Sequence, residues 1–189
     1  MKITPFAIER YFAKYEFTAQ YLLSSSDCES FSLSEVLEMA DAEAKQLWDQ
    51  LELGYTETLG HPMLRQAIAE IYNGIHMDDI IVMAPEEGIF LLIHAILEPG
   101  DHIVCTYPAY QSLYEVARSI GCQVSKWEPE EYNGWRFDVQ QLKEKIQDNT
   151  KLVVVNFPHN PTGYVPPIED YEALIKIVQQ RNIHLLSDE

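Results

Sequence analysis

This sequence predicts an α/β fold, a mainly parallel sheet with helices on both faces, preceded by an N-terminal helical arm. Three observations carry that expectation. From residue 80 onward, short apolar runs alternate with helical periodicities. The connections between them are short and punctuated by Gly and Pro, as in βαβ units. The apolar runs, such as Leu152 to Val155, are continuous rather than alternating, which suits strands covered on both faces.

Residues 1–16 form an amphipathic helical pattern through Phe6, Tyr11, Phe12 and Tyr15, fitting either a surface helix or a dimer arm. Tyr21-Leu22-Leu23 is a short extended candidate, and Ser24-Ser25-Ser26-Asp27 reads as a loop. Ser32 or Ser34 caps a helix expected to reach about Leu51, because Glu35 follows Ser32 at capping-box spacing. Gly54 is expected to end this region in a left-handed conformation. After a loop from Tyr55 to Gly60, His61-Pro62 opens a helix with an apolar stripe of Leu64, Ala67, Ile68 and Ile71, closed by Asn73-Gly74.

The alternation then begins. Strands are expected at 80–83, 102–106, 123–127, 152–155 and 183–186. Helices are expected at 86–97, 109–120, 138–146 and 168–181, with stops at Pro99-Gly100 and Gly121 and a cap at Asp138. Residues 130–136 read as a surface loop. No internal repeat or low-complexity segment is visible.

Composition excludes several function classes. A net charge of −17 repels nucleic acid and anionic membranes, so neither is expected as a partner. No apolar run approaches membrane-spanning length. Cys28, Cys105 and Cys122 form no C-x-x-C pair, and an odd, scattered set points to reduced thiols and a cytoplasmic location. The histidines are dispersed without metal-ligand spacing, so no metal site is expected.

The chemistry concentrates around Asn156-Phe157-Pro158-His159-Asn160-Pro161-Thr162-Gly163. This stretch follows a buried strand and precedes a helix, placing it where open α/β sheets hold their ligands. Two X-Pro turns impose a rigid, non-helical path and fix the Asn160 amide, which can both donate and accept. Asn-Pro-Thr-Gly resembles the motif of the fold-type I pyridoxal-phosphate (PLP) enzymes, the class I and II aminotransferases, over about Tyr55 to Glu189. The resemblance implies the large domain of a PLP transferase, here incomplete, and an Asn160 that donates to the pyridine 3-oxygen across a cis Asn160-Pro161 bond. On the residues alone, a tight turn accounts for the same spelling.

PLP chemistry needs a carboxylate against the pyridinium nitrogen to keep the ring an electron sink. It also needs a flat contact on the ring and backbone N–H groups at a helix start for the phosphate. Ser187-Asp188-Glu189 resembles the start of the family's Asp-Glu-x-Tyr motif, which makes Asp188 the partner of the ring nitrogen; a turn-preparing Asp is the alternative. Tyr107-Pro108-Ala109-Tyr110 resembles the family's Pro-x-Tyr segment, which lays Tyr110 against the ring; a core tyrosine is the alternative. Ala84-Pro85-Glu86 stands at the phosphate position but departs from the family's Gly-Ala-Ser pattern, since Pro85 has no N–H and Glu86 and Glu87 are negative. Tyr55 with Gly60 matches a spacing in which the tyrosine crosses a homodimer interface to the neighbour's phosphate; a loop tyrosine is the alternative. Ser24 to Ser26 match the family's substrate-facing segment poorly.

By the same resemblance, none of the lysines stands where the family's Schiff-base lysine falls, and its carboxylate-clamping arginine is missing. A segment alone is therefore expected to be inactive, within a protein about twice as long. Strand 80–83 is expected to be cut off from the other four, because the family's first strand pairs with strands that follow the Asp-Glu motif. The implied domains are an arm with part of a small domain over 1–54 and part of the PLP-binding large domain over 55–189. The implied function is a PLP-dependent aminotransferase acting on an amino acid and a 2-oxo acid. A PLP-dependent lyase or cyclase on the same fold, and a non-catalytic dimerisation or PLP-binding module, are the alternatives. A dinucleotide-binding fold is disfavoured, since no Gly-x-Gly-x-x-Gly follows the first strand.

Overall fold

The computed structural model describes residues 2–24 and 28–189. In chain order the helices are α1 (Ala7–Tyr15), α2 (Leu33–Met39), α3 (Ala42–Asp49), α4 (Pro62–Ala69), α5 (Pro85–Ile96), α6 (Ser112–Ile120), α7 (Val139–Lys145) and α8 (Ile168–Arg181). The strands are β1 (His102–Thr106), β2 (Gln123–Trp127), β3 (Thr150–Asn156) and β4 (His184–Asp188). Two compact units divide the chain, one of Met1–Ser26 with Pro85–Glu189 and one of Asp27–Ala84.

The first unit holds the sheet, in the order β2-β1-β3-β4 with every pairing parallel. Side chains alternate between faces along a strand. Ile103, Cys105, Leu152 and Val154 pack with α5 and α6 in one core cluster. Val104, Val153 and Val155 pack with α7 and α8 in another, where Trp127, Phe137 and Phe157 meet edge to face. Both faces are covered, which is why the strand sequences are continuously apolar. Each fully buried Leu or Val contributes roughly 1.5–3 kcal/mol, so Leu152→Ala, at a fully buried position, costs about 2–5 kcal/mol.

The helix stops work as their chemistry dictates. Gly121 ends α6 at φ 106°, a left-handed geometry that a β-carbon disfavours. Asn182 does the same for α8 at φ 52°, and the Ile183 N–H returns to the Val178 carbonyl. Asp138 caps α7 through the Gln140 N–H at 2.8 Å. α6 starts at Ser112 rather than Ala109, because 107–111 form a non-helical turn. Residues 130–136 are tied by an antiparallel bridge between Glu130 and Arg136 around a 3-10 turn, more order than a plain loop. Tyr21-Leu22-Leu23 is not a strand, and Ser25, Ser26 and Asp27 lie outside the described residues.

The second unit departs further from expectation. The helix expected to reach Leu51 is two helices, α2 and α3. Ser32 and Glu35 do form the capping box of α2. However, Ala40 is extended, and the Asp41 carboxylate accepts the Ala44 N–H at 2.8 Å, starting a new helix. Gly54 is not left-handed, since α3 has already ended at Asp49. The stripe Leu64, Ala67, Ile68, Ile71 is not the buried face of α4; Arg65 and Ala69 are. The Arg65 guanidinium reaches the Met77 and Ile80 carbonyls and pairs with Asp78 at 3.2 Å, pinning the 3-10 turn Met77–Asp79. Residues 80–83 form no strand. The backbone is extended at Ile80, and the Val82 N–H donates to the Leu59 carbonyl, but no ladder partner exists among the described residues. The strand expected there is absent, since an extended segment without a neighbour forms no ladder.

Candidate active site

The site is built where β3 and β4 end. Asn156 and Asp188, the last residues of these strands, are register partners. The Asn156 amide Nδ2 donates to the Asp188 carbonyl at 3.1 Å and to Asp188 Oδ2 at 3.2 Å. Its Oδ1 accepts the Asn160 N–H at 2.7 Å. The loop that follows carries cis bonds at Phe157-Pro158 and Asn160-Pro161, the second as the resemblance implies.

His159 ties this loop to its neighbour. It is 1% exposed, with Nε2 at 2.8 Å from the Pro108 carbonyl and Nδ1 at 2.7 Å from the Thr162 hydroxyl. A carbonyl only accepts, so Nε2 carries the proton and Nδ1 accepts from Thr162. Burial pulls the His159 pKa down, partly opposed by its bond to Pro108. The 107–110 turn, with a cis Tyr107-Pro108 bond, is thereby locked to the Asn160 loop.

Tyr110 stands on that turn. Its hydroxyl donates to the Glu9 carboxylate of α1, and Phe6 meets its ring edge-on at 6.3 Å. Burial, then the bond to Glu9, pushes the Tyr110 pKa up, so the phenol stays protonated. Gln111 accepts the Ala7 N–H, completing the attachment of α1.

A cavity of about 470 Å³ opens between these elements. Tyr110, Asn156, Asn160 and Asp188 line it together with Pro85, Glu86 and Ile89 from the start of α5, and Ala7 and Ile8 from α1. Three residues expected around one flat ring, Tyr110, Asn160 and Asp188, therefore share one space, and two of the three expected at the phosphate end join them. Ala84 and Tyr55 belong to the other unit, where Tyr55 is fully exposed and lines a cleft with Leu51, Gly54 and His61.

No Lys, Arg or His lines the cavity among the described residues. Burial raises the Asp188 pKa, and the Asn156 amide donates to its Oδ2. Burial also raises the Glu86 pKa, opposed by a bond from the Ser112 hydroxyl and reinforced by Glu9 and Asp188. A carboxylate held in this setting calls for a cation, and a pyridinium nitrogen meets that demand. The phosphate end fits less well. α5 begins at Pro85, so its first N–H donors come from Glu86 onward, beside a negative side chain.

Sequence reasoning missed Asn156, His159 and Glu9. A polar residue closing a buried apolar run was a usable signal for Asn156. His159 lies inside the motif but does its work across 51 positions, and nothing near Glu9 marks its contact with Tyr110.

A family model described as aminotransferase class I and II matches residues 18–189. The chain belongs to the class I and II aminotransferases. Aspartate aminotransferase of Pyrococcus horikoshii is 34% identical over 152 residues, covering 77% of this chain and 39% of that protein. Capreomycidine synthase of Streptomyces vinaceus is 31% identical over 184 residues, covering 96% of this chain and 47% of that one. A PLP-dependent aminotransferase structure from Streptococcus suis superposes with a TM-score of 0.89 at 31% identity, covering all of this chain and 52% of its own. The chain thus spans about half the length of these relatives, or less. The parallel sheet covered on both faces is the architecture that the family shares.

Proposed function

We propose that this chain is part of a PLP-dependent aminotransferase acting on an amino acid and a 2-oxo acid. The observation that carries the reading is the convergence of Tyr110, Asn160 and Asp188 on one cavity at the carboxyl end of the sheet. Bound there, the cofactor supplies an electron sink for the substrate's α-carbon. The chain's own residues bind and orient it. Asp188, as the carboxylate, holds the proton on the ring nitrogen. Asn160 donates to the ring 3-oxygen. Tyr110 covers one ring face, and its protonated hydroxyl stays on Glu9, away from the ring nitrogen. Of the segment Ala84, Pro85 and Glu86 assigned to the phosphate, Pro85 has no N–H, so the donors are those from Glu86 onward in the first turn of α5. α1 closes one wall of the cavity with Ala7 and Ile8 and limits water access.

The same proposal includes a homodimer in which Tyr55 reaches the neighbouring subunit's phosphate, supported by the full exposure of that side chain. It keeps 1–54 as an arm with part of a small domain and 55–189 as part of the large domain, and it expects this segment alone to be inactive. Among the described residues no helix is long and apolar enough to cross a membrane, and a cytoplasmic location belongs to the proposal. The test is to express the full reading frame and add PLP. A visible band of bound cofactor and 2-oxo acid formation from an amino donor are expected; absence of both refutes the reading.

A second reading is a PLP-dependent lyase or cyclase. Its support is the Streptomyces vinaceus synthase, which matches a larger share of this chain than the Pyrococcus horikoshii aminotransferase does. Ammonia release or a cyclised product, without 2-oxo acid exchange, would favour it. PLP binding without turnover would favour a non-catalytic module.

A further inference from the structure

A single side-chain amide joins Asp188 and Asn160, two residues that line the cavity. Asn156 is 9% exposed, and its Cα stands opposite Asp188 in the sheet register. The Oδ1 atom takes the Asn160 N–H at 2.7 Å, while Nδ2 meets both the carbonyl and the Oδ2 of Asp188 at 3.1 and 3.2 Å. These backbone partners dictate the amide's orientation. A main-chain N–H needs an oxygen and a main-chain carbonyl needs an N–H, so a flipped amide sets like against like twice. Aspartate cannot donate, serine cannot span both partners, and glutamine adds a methylene at a buried position.

We infer that Asn156 is a positioning residue for the cofactor, one rigid amide that sets the spacing between the carboxylate at the ring nitrogen and the donor at the ring 3-oxygen. The inference rests on the PLP reading above. A flat ring meets both contacts only if they are held to about 0.5 Å of a common geometry, which requires support from behind. Asn156 supplies that support without needing to touch the ring. Its bond to Asp188 goes to Oδ2. Burial raises the Asp188 pKa, so the place of its carboxylate, not only its charge, decides the contact. The amide therefore acts on the place of Asp188 and on the path of the backbone entering Asn160.

The test uses the protein expressed from its full reading frame, titrated with PLP and followed by affinity and by visible circular dichroism of the bound cofactor. N156A is expected to weaken PLP affinity about 10-fold, in the range seen when supporting groups behind a ligand are removed, and to reduce the visible dichroism. N156D is expected to weaken it more, since it sets a carboxylate against Asp188. In a D188A background, N156A is expected to cost less than about 3-fold further, because coupled residues are non-additive. A merely structural asparagine lowers thermal stability and leaves these readouts unmoved, or multiplies fully with D188A; either result overturns the inference. If N156A fails to fold, N156S serves the same comparison. Wild-type protein that binds no PLP overturns the functional reading and this inference with it. Wild-type binding with affinity and dichroism unchanged in the variants overturns this inference alone.

Discussion

The sheet carries a buried polar network at each end, and the one at the carboxyl end lines a cavity. At the amino end, His102 is 1% exposed and reaches Thr150 Oγ1 at 2.7 Å and Ser125 Oγ at 2.9 Å, linking β1 to β3 and β2. Both ring nitrogens have partners, and burial pulls the imidazole pKa down. That network is complete without a ligand. At the carboxyl end, Asn156 and His159 are as fully engaged, but they hold out a carboxylate whose pKa is raised by burial and which no cation meets among the described residues. The difference teaches how to tell a structural network from a binding one. A closed set of hydrogen bonds leaves nothing to bind, whereas an open set leaves an electrostatic demand.

The sharpest way to break that comparison is D188A. Losing a charge-assisted contact of about 1.5–3 kcal/mol predicts a 10- to 100-fold rise in the PLP dissociation constant of the full-length protein, read by spectroscopic titration. The cofactor-free protein should respond oppositely. The folded pKa of Asp188 lies above its unfolded value, so the group favours folding below about pH 4 and opposes it as pH rises through the folded value. D188N should therefore raise the thermal midpoint of cofactor-free protein at neutral pH; a lower midpoint would show that the carboxylate has no such cost.

H102A tests the closed end. It removes a partner from the Ser125 and Thr150 hydroxyls, of which Thr150 keeps the Gln147 N–H, and should lower stability by about 2 kcal/mol in urea unfolding while leaving PLP affinity unchanged. The folded pKa of His102 is depressed, so its contribution is present above about pH 6.5 and lost as pH falls through the folded value. Wild-type stability should fall more steeply than that of H102A between about pH 7 and 5. Equal slopes would mean the imidazole is not held neutral.

Two smaller effects refine the open end. Y110A should weaken PLP binding about 3- to 10-fold through loss of a ring contact worth 0.5–1.5 kcal/mol, and Y110F, which keeps the ring and drops only the bond to Glu9, should stay within about 2-fold. Smallest is E86Q. Removing one of the negative charges around the cavity should tighten PLP binding about 2-fold, more at low salt, where exposed charges are less screened. Weaker binding in E86Q would instead make Glu86 part of the cofactor's support.

The parts legible in the sequence were those whose cause is local. The runs 102–106 and 123–127 are strands, and 168–181 is a helix, because side-chain period, flanking Gly and Pro, and caps act within a few residues. The failures have local and distant sources. Asp41 is a strong cap that a long helical period concealed. Arg65 displaced an apolar stripe because a guanidinium can satisfy the carbonyls of a turn twelve residues on. The Asn160 motif was readable, while Glu9 was not, since its partner lies 101 positions away.

By itself, the sequence determined the alternation of strands and helices from residue 85 onward, the two covered faces of the sheet, and the placing of Tyr110, Asn160 and Asp188 at or just beyond strand ends. Tertiary structure alone decided that these three share one cavity, that Asn156 bonds both Asp188 and the Asn160 N–H, that His159 ties the neighbouring turn, that α1 lines the cavity, and that 80–83 is not a strand. Periodicity reports which face of a segment is apolar. Which polar group meets which depends on chain neighbours brought together only by folding.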